Sequence, residues 1–351
     1  MPTAPPTVAV ARHAMATRFE IILHGANAAS LRAAGEEALN EIARLEDQLS
    51  LYRPASEIAR VNARAHLEPV RVSSELFALL QHARQLHRET NGAFDITIGP
   101  LMRCWSFLGG TGALPEPAAL AEARTKVGMD LVQLNNLTVR FARPGVMLDL
   151  GAIGKGYAIE RAAELLREAG VTSAILHGGT STVFAIGRPP DADGWKVAVD
   201  VNADLERRSP TLRNDYVGVQ ASACSPDRLK PELQRAGPVS PIIIPLRDEA
   251  LSVSAVWGKS FQSGSKTLGH VLDPRTGEPA DRAVLAAVVT RSATESDALS
   301  TALLTDGPEA VECIAALRPG TRTLAVQHTN GPMKVAAQGI KHLLIGGAEE
   351  I

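Results

Sequence analysis

Hydrophobic positions along the chain follow two periods, which divide it into helices and strands. From Ala28 to Ser50, apolar residues recur at Leu31, Ala38, Ile42, Leu45 and Leu49, the spacing of one buried face on a long helix. A second helix is predicted to be capped by Ser73 or Ser74 and to bury Leu76, Leu79, Leu80, Ala83 and Leu86. Asn91-Gly92 supplies its stop. A third helix lies near Ala118–Val127. Strand-like segments occur at Phe19–Leu23, around Leu131–Phe141, and at Val146–Leu150, Lys196–Val201, Ile242–Leu246, Leu285–Thr290 and Thr323–His328. Strands and helices alternate irregularly, which predicts an α+β fold rather than a doubly wound parallel sheet. Residues 202–240 break the pattern: proline and arginine are frequent and no clean period survives. They read as a long surface insertion, partly disordered.

The segment Val146–Gly187 carries the strongest local signal. An apolar strand ends in Asp149, a glycine-rich turn follows (Gly151, Gly154, Gly156), and an amphipathic helix buries Ile159, Ala162, Ala163, Leu165 and Leu166. Gly170 stands where the helix needs a left-handed C′ residue, and a second strand runs into Gly178-Gly179. Such a turn exposes backbone N–H groups at a helix N-terminus, and Lys155 adds a full positive charge, so an anion such as phosphate is expected there. The spacing is neither a P-loop, since Gly156 follows Lys155 where Ser or Thr is required, nor the dinucleotide G-x-G-x-x-G. A tight turn whose glycines serve packing alone would carry the same signature.

Composition narrows the function. The 351 residues hold 36 Lys and Arg against 38 Asp and Glu, a net charge of −2, which argues against a nucleic-acid partner. Cys104, Cys224 and Cys313 are odd in number and widely spaced, unlike a disulfide framework or zinc site. No apolar run approaches a membrane span. The N-terminus shows neither a signal peptide nor a cysteine placed for lipidation, so a cytoplasmic location is expected.

Further segments carry candidate chemistry. Asp297 and Thr301 share one face of a helix opening near Ala293. A carboxylate and a hydroxyl one turn apart suit a hard cation such as magnesium. Thr294 and Asp297 equally fit a capping box. His270 leads into the turn Asp273–Gly277, where it is either structural or catalytic. Asp95, in the segment Gly92–Pro100, is either paired in the fold or turned to a ligand. Tyr52 either stacks on an aromatic ligand or covers the core.

Taken together and in this order, these segments resemble the FAD:protein FMN transferases, the ApbE family. The matching stretches are Met15–Thr17, Leu49–Pro54 with Ser56–Ile58, Gly92–Pro100, Asp149–Ala158, Gly178-Gly179, His270–Gly277 and Ser296–Thr301. The resemblance implies a single two-lobed α+β domain over 12–347, with a mixed, largely antiparallel sheet and packed helices. It implies a transferase that cleaves the FAD pyrophosphate, attaches FMN to a Ser or Thr hydroxyl in the flavinylation motif of an acceptor flavoprotein, and releases AMP. FAD contacts would come from Met15, Tyr52, Ala93, Phe94, Asp95, Asp149, Lys155, His270 and Val271. Mg2+ would be held by the Ala152 carbonyl, Asp297 and Thr301. Asp297 and His270 would be the catalytic residues, His270 orienting a phosphate oxygen or accepting the hydroxyl proton with Asp273 behind it. This chain departs from many members at Gly154, where Ala is common, at Thr180, and at Ser254-Ala255, where Ser-Gly is common. Two other functions use the same residues: a magnesium-dependent FAD pyrophosphatase with water as acceptor, and a non-catalytic flavin-binding protein.

Overall fold

The run Leu285–Thr290 is buried at all six positions, so the sheet that holds it must be covered on both faces. The computed structural model shows how; it describes residues 5–200, 220–222, 241–263, 266–327 and 333–341. The chain opens with β1 (Thr7–Ala14), β2 (Thr17–His24), α1 (Ala28–Leu49) and α2 (Glu57–Arg64). Next come β3 (Val70–Arg71), α3 (Ser74–Glu89), α4 (Gly99–Cys104), α5 (Pro117–Arg124) and the hairpin β4 (Val132–Asn135) and β5 (Thr138–Phe141). Then follow α6 (Gly154–Glu168), β6 (Ala174–Gly178), β7 (Thr182–Ile186), β8 (Trp195–Val199), β9 (Gln220–Ser222) and β10 (Ile242–Leu246). The last part holds β11 (Ala250–Ala255), β12 (Ser260–Ser263), β13 (Lys266–Gly269), β14 (Leu285–Thr290), α7 (Ala293–Asp306), α8 (Val311–Ala316), β15 (Arg322–Gln327) and β16 (Lys334–Gln338).

The central sheet has the order β1-β2-β6-β7-β11-β14-β15-β16. Every pairing in it is antiparallel, as the expected largely antiparallel sheet requires. Its two faces follow the two-residue strand period. Ala286 and Val288 of β14 join the core under α1, α6 and α7, together with Phe19, Ile21 and Phe184. Leu285, Ala287 and Val289 point the other way, onto Trp195, Val197, Ile244 and Leu246 of a small sheet ordered β10-β8-β9. A third cluster of Leu101, Trp105, Phe107 and Leu272 closes one end.

Most predicted elements stand. In α1, all five stripe residues are buried, and Asn27 caps the helix through the amides of Ala29 and Ser30. Ser73 caps α3, and Gly170 adopts a φ of 80° after α6. Three readings change. Val146–Leu150 is not a strand: its Leu148 backbone pairs with the Asn62 side chain, and Asp149 N–H donates to the Ile96 carbonyl. Strand structure around Leu131–Phe141 splits into β4 and β5 at Asn136-Leu137, both left-handed. Leu165 lies on the flank of α6, outside its buried face. The pattern gives no prediction of strands β1, β3, β7, β11, β12 and β16 or of helices α2, α4 and α8. Of the 202–240 insertion, 220–222 form β9, which pairs with β8; the remainder lies outside the described residues.

Helices α6 and α7 pack at unusually short range, and the contact is polar. The Gly156 N–H donates to Asp297 Oδ2 at 2.9 Å. In return, Glu160 of α6 accepts from the Ser292 hydroxyl at 2.7 Å and from the Thr294 N–H at 2.8 Å. Each helix thus supplies a carboxylate to the other's electropositive N-terminus. A Cβ at position 156 would lie 2.1 Å from the Ala293 carbonyl oxygen and 2.7 Å from Asp297 Cβ, so only glycine permits the approach. Gly156→Ala is therefore expected to destabilise the protein by about 1–3 kcal/mol through overpacking, despite the better helix propensity of alanine. A lowered urea midpoint would register it.

Candidate active site

The antiparallel order brings four chain segments to one end of the central sheet. These are the β1–β2 turn, the β6–β7 turn, the C-terminal end of β11 and the start of β14. They border a cavity of about 660 Å³, within the range of small-molecule sites. Met15, Tyr52, Ala93, Phe94, Asp95, Asp149, Ala152, Lys155, His270, Val271, Asp297 and Thr301 all line it. Residues spread across most of the sequence thus meet on one surface.

The β1–β2 turn is strained. Met15 and Ala16 have φ of 49° and 58°, the geometry of a two-residue hairpin turn that normally selects Asn-Gly. Two side-chain-bearing residues in this region cost of order 1–3 kcal/mol each, so the surrounding fold must enforce the turn.

Around the glycine turn, the amides are largely engaged within the protein. Gly151 N–H donates to Asp149 Oδ1 at 2.8 Å, Gly154 N–H to the Leu150 carbonyl at 2.7 Å, and Gly156 N–H to Asp297. The expected backbone cradle for an external anion is therefore corrected: the anion at the α6 N-terminus is Asp297 itself. Lys155 remains as the positive group at the cavity, its Nζ 3.4 Å from the Gly151 carbonyl. Burial pushes the Asp149 carboxyl above its usual range, outweighing the Gly151 hydrogen bond and the charges of Lys155 and Lys259.

Asp297 is not a capping residue of its own helix. The N-cap of α7 is Ser292, whose hydroxyl accepts from Glu295 N–H at 3.1 Å. Thr294 and Asp297 lie inside the helix. Asp297 is 4% exposed, accepts from Gly156 N–H and Thr182 Oγ1, and has no cationic partner among the described residues. Hydroxyls cluster beside it. Ser254 Oγ lies 2.8 Å from Ser300 Oγ and 3.3 Å from Thr301 Oγ1, and Ser252 Oγ lies 2.8 Å from Ser296 Oγ. No cluster of three His, Cys, Asp or Glu side chains suited to a metal occurs among the described residues.

His270 rests its Nδ1 against the backbone of Lys259, 3.1 Å from O and 3.3 Å from N, with its ring edge on Phe107. Burial, aided by Lys155 and Lys259, holds its pKa below the ordinary histidine value. Asp273 does not stand behind it. The Asp273 carboxylate is taken by Arg275, at 2.9 Å from Nε and 2.8 Å from a terminal nitrogen, and Arg275 also reaches Asp306. Asp95 is paired within the fold while bordering the cavity. Tyr52 is 67% exposed, so it does not cover the core.

The sequence model of the ApbE family matches residues 15–325. The chain belongs to the ApbE family. A relative from Treponema pallidum named FAD:protein FMN transferase is 28% identical over 307 residues, 85% of this chain and 78% of its own length. A Vibrio cholerae relative of the same name is 26% identical, over 86% of this chain and 81% of its own. Among solved structures, the ApbE protein of Thermotoga maritima superposes with a TM-score of 0.75 at 24% identity, covering 94% of this chain and 97% of its own. The Pseudomonas stutzeri flavinyl transferase ApbE gives the same score and identity, covering 97% and 96%. The antiparallel α+β architecture described above is the ApbE fold.

Among the lining residues without a sequence signal are Trp257 and Lys259. Trp257 is one of three tryptophans in a chain with 4% aromatic residues, a signal that could have drawn notice. Lys259 carried no local signal, since its backbone contact with His270 is made across eleven residues.

The raised pKa of Asp149 yields a stability test. Its stabilising balance is complete below the ordinary value of 3.8 and is lost as pH rises through the folded value. Asp149→Asn keeps the acceptor for Gly151 N–H and removes the buried charge. This variant is expected to melt above wild type at neutral pH, with the gap closing under acid conditions. Thermal denaturation across pH measures it.

Proposed function

We propose that this ApbE-family chain is an FAD:protein FMN transferase. It cleaves the FAD pyrophosphate and joins FMN to a Ser or Thr hydroxyl of an acceptor flavoprotein. The observation that carries this reading is the convergence of Lys155, His270, Asp297 and Thr301 on one cavity large enough for a nucleotide, in a chain whose relatives bear that name.

In the reaction, the acceptor oxygen attacks the phosphorus on the FMN side. A new P–O bond forms, the bridging P–O bond breaks, and AMP leaves with the bonding pair. Positioning and charge neutralisation dominate such chemistry. Lys155 faces the phosphates, and Tyr52, standing free at the rim, offers its ring to the flavin or the adenine. Neutral His270 accepts the hydroxyl proton. The tautomer that donates from Nδ1 to the Lys259 carbonyl leaves Nε2 basic, and the lowered pKa keeps the ring uncharged near neutrality.

The residues around Asp297 fit a magnesium ion. A buried carboxylate without a cationic partner among the described residues stands one helical turn before Thr301, whose hydroxyl donates to the Asp297 carbonyl, and Ala152 borders the same cavity. Such an oxygen set suits a cation that also keeps water and phosphate ligands. Bound there by Asp297, Thr301 and Ala152, magnesium would neutralise charge on the phosphate oxygens.

Incubation with FAD, magnesium and a candidate acceptor tests the reading directly. Covalent flavin on the acceptor with matching AMP supports transfer. Free FMN plus AMP would make the protein a pyrophosphatase, and no turnover would leave a flavin-binding protein. Asp297→Asn retains an acceptor for Gly156 N–H and should stay folded, while turnover falls by about 100-fold or more. Wild-type turnover in that variant would remove Asp297 from the site. His270→Asn is expected to bind FAD normally and to lose transfer by roughly 10²–10⁴-fold. Lys155→Met should weaken FAD binding by calorimetry, and unchanged affinity would remove Lys155 from the phosphate site.

A further inference from the structure

The cavity wall formed by Ala93, Phe94 and Asp95 is held from behind. Asp95 is 6% exposed, and its carboxylate is fastened inside the wall. Oδ1 accepts from Thr97 N–H at 2.7 Å and from the Thr97 hydroxyl at 2.6 Å. Oδ2 lies 3.1 Å from His87 Nδ1, which also lies 3.2 Å from the Phe94 carbonyl oxygen. His87 stands in the last turn of α3, and the chain reverses just after it through Asn91 and Gly92, both left-handed. One ring nitrogen therefore holds two oxygens from the segment that lines the cavity.

We propose that His87 is a protonation-dependent latch, a positioning residue that fixes the Ala93–Asp95 wall for flavin nucleotide binding. The latch requires a proton on Nδ1. A neutral ring protonated only at Nε2 would present a lone pair to two acceptors, which repel it. The imidazolium removes that option and adds a charge-assisted bond to Asp95. His87 can exchange protons with solvent, because a second cavity of about 490 Å³ lies on the far side of the wall, lined by His87, Gly92, Arg124 and Arg275.

The charged groups around the ring favour the latched form. Asp95 and the more distant Asp130 attract the proton, together with the Phe94 carbonyl. On the opposing side, Arg275 packs on Gly92 but is paired with Asp273 and Asp306, and Arg124 lines the same second cavity. Burial lowers the His87 pKa, but Asp95, Phe94 and Asp130 outweigh it and leave it raised above 6.5. The latch is therefore charged and tightest below 6.5, and as pH rises through the raised value it weakens to a neutral Nδ1–H donor that has lost its charge-assisted bond to Asp95. His270 titrates in a separate window, below 6.5.

The role in flavin binding rests on the proposed transferase reading, whereas the latch itself can be observed without ligand. In the full chain labelled with ¹⁵N-phenylalanine, Phe94 is one of seven amides. Its shift is expected to titrate with a midpoint above 6.5 in wild type and to stay flat in His87→Gln. The glutamine keeps a neutral donor and loses the titration. Asp95→Asn provides an independent check and should bring the His87 ring midpoint down towards 6.5. FAD affinity over the same range should fall roughly tenfold in wild type, the loss of one charge-assisted hydrogen bond, and remain level in His87→Gln. KM for FAD should carry the change, with kcat at saturation unmoved. Parallel titration of Phe94 in wild type and His87→Gln overturns the latch. A Phe94 titration with no accompanying change in affinity overturns its role in binding. If Phe94 follows His87 while FAD binds at no pH, the transferase reading fails and the latch stands.

Discussion

The exchange of carboxylates between α6 and α7 is the constraint on which the rest of the site depends. Gly156 lets the helices approach until the α6 N-terminus meets Asp297. Glu160 then fills the same need at the start of α7. Both helices lie on the core face of the central sheet, so this one contact fixes Lys155 and Ala152 relative to Asp297 and Thr301. Thr182 and Ser252, from neighbouring strands, extend the hydrogen-bonded row. A site assembled from such distant segments needs a rigid joint, and this joint provides it.

Charge balance in the cavity gives the proposed chemistry its physical sense. Asp95, Asp149, Asp200 and Asp297 border it, against Lys155 and Lys259. Their settings differ. Asp95 is paired with His87 and Thr97, Asp149 accepts one described amide under a burial penalty, and Asp297 caps a helix. A pyrophosphate entering this cavity adds negative charge where Asp149 and Asp297 have no ion pair among the described residues. The proposed divalent cation and the two lysines would offset that excess. The strained Met15-Ala16 turn lies on the same border, consistent with strain gathering where ligands are gripped.

The site was more legible in the sequence than the architecture that builds it. Seven of its residues (Tyr52, Asp95, Asp149, Lys155, His270, Asp297 and Thr301) stand in segments whose residue types alone suggest chemistry, and the resemblance to the ApbE family adds Met15, Ala93, Phe94, Ala152 and Val271. All twelve predicted residues border the cavity. What escaped depends on contacts between distant segments. Ser292 with Glu295, and Thr294 with Asp297, give overlapping capping patterns, and only the approach of α6 decides that Ser292 caps while Asp297 reaches across. Val146–Leu150 has the composition of a strand, but the Asn62 side chain occupies its backbone. The antiparallel order, the covering sheet of β8 and β10, and the inward turn of Asp95 towards His87 likewise have no local signature.

The joint between α6 and α7 also sets a timetable. Gly156 and Asp297 are 141 residues apart, so during synthesis the N-terminus of α6 exists long before its carboxylate does. At ribosomal speeds of about 5–20 residues per second, the gap is roughly 10–30 s. Through that interval, the glycine turn and the inner face of α6 have no α7 to close them. Strands β14, β15 and β16, three of the eight in the central sheet, are likewise unmade through most of that interval. The nascent chain therefore holds an open half-domain in which the cavity cannot yet close. The set of residues that lines the cavity is complete only once Thr301 has emerged.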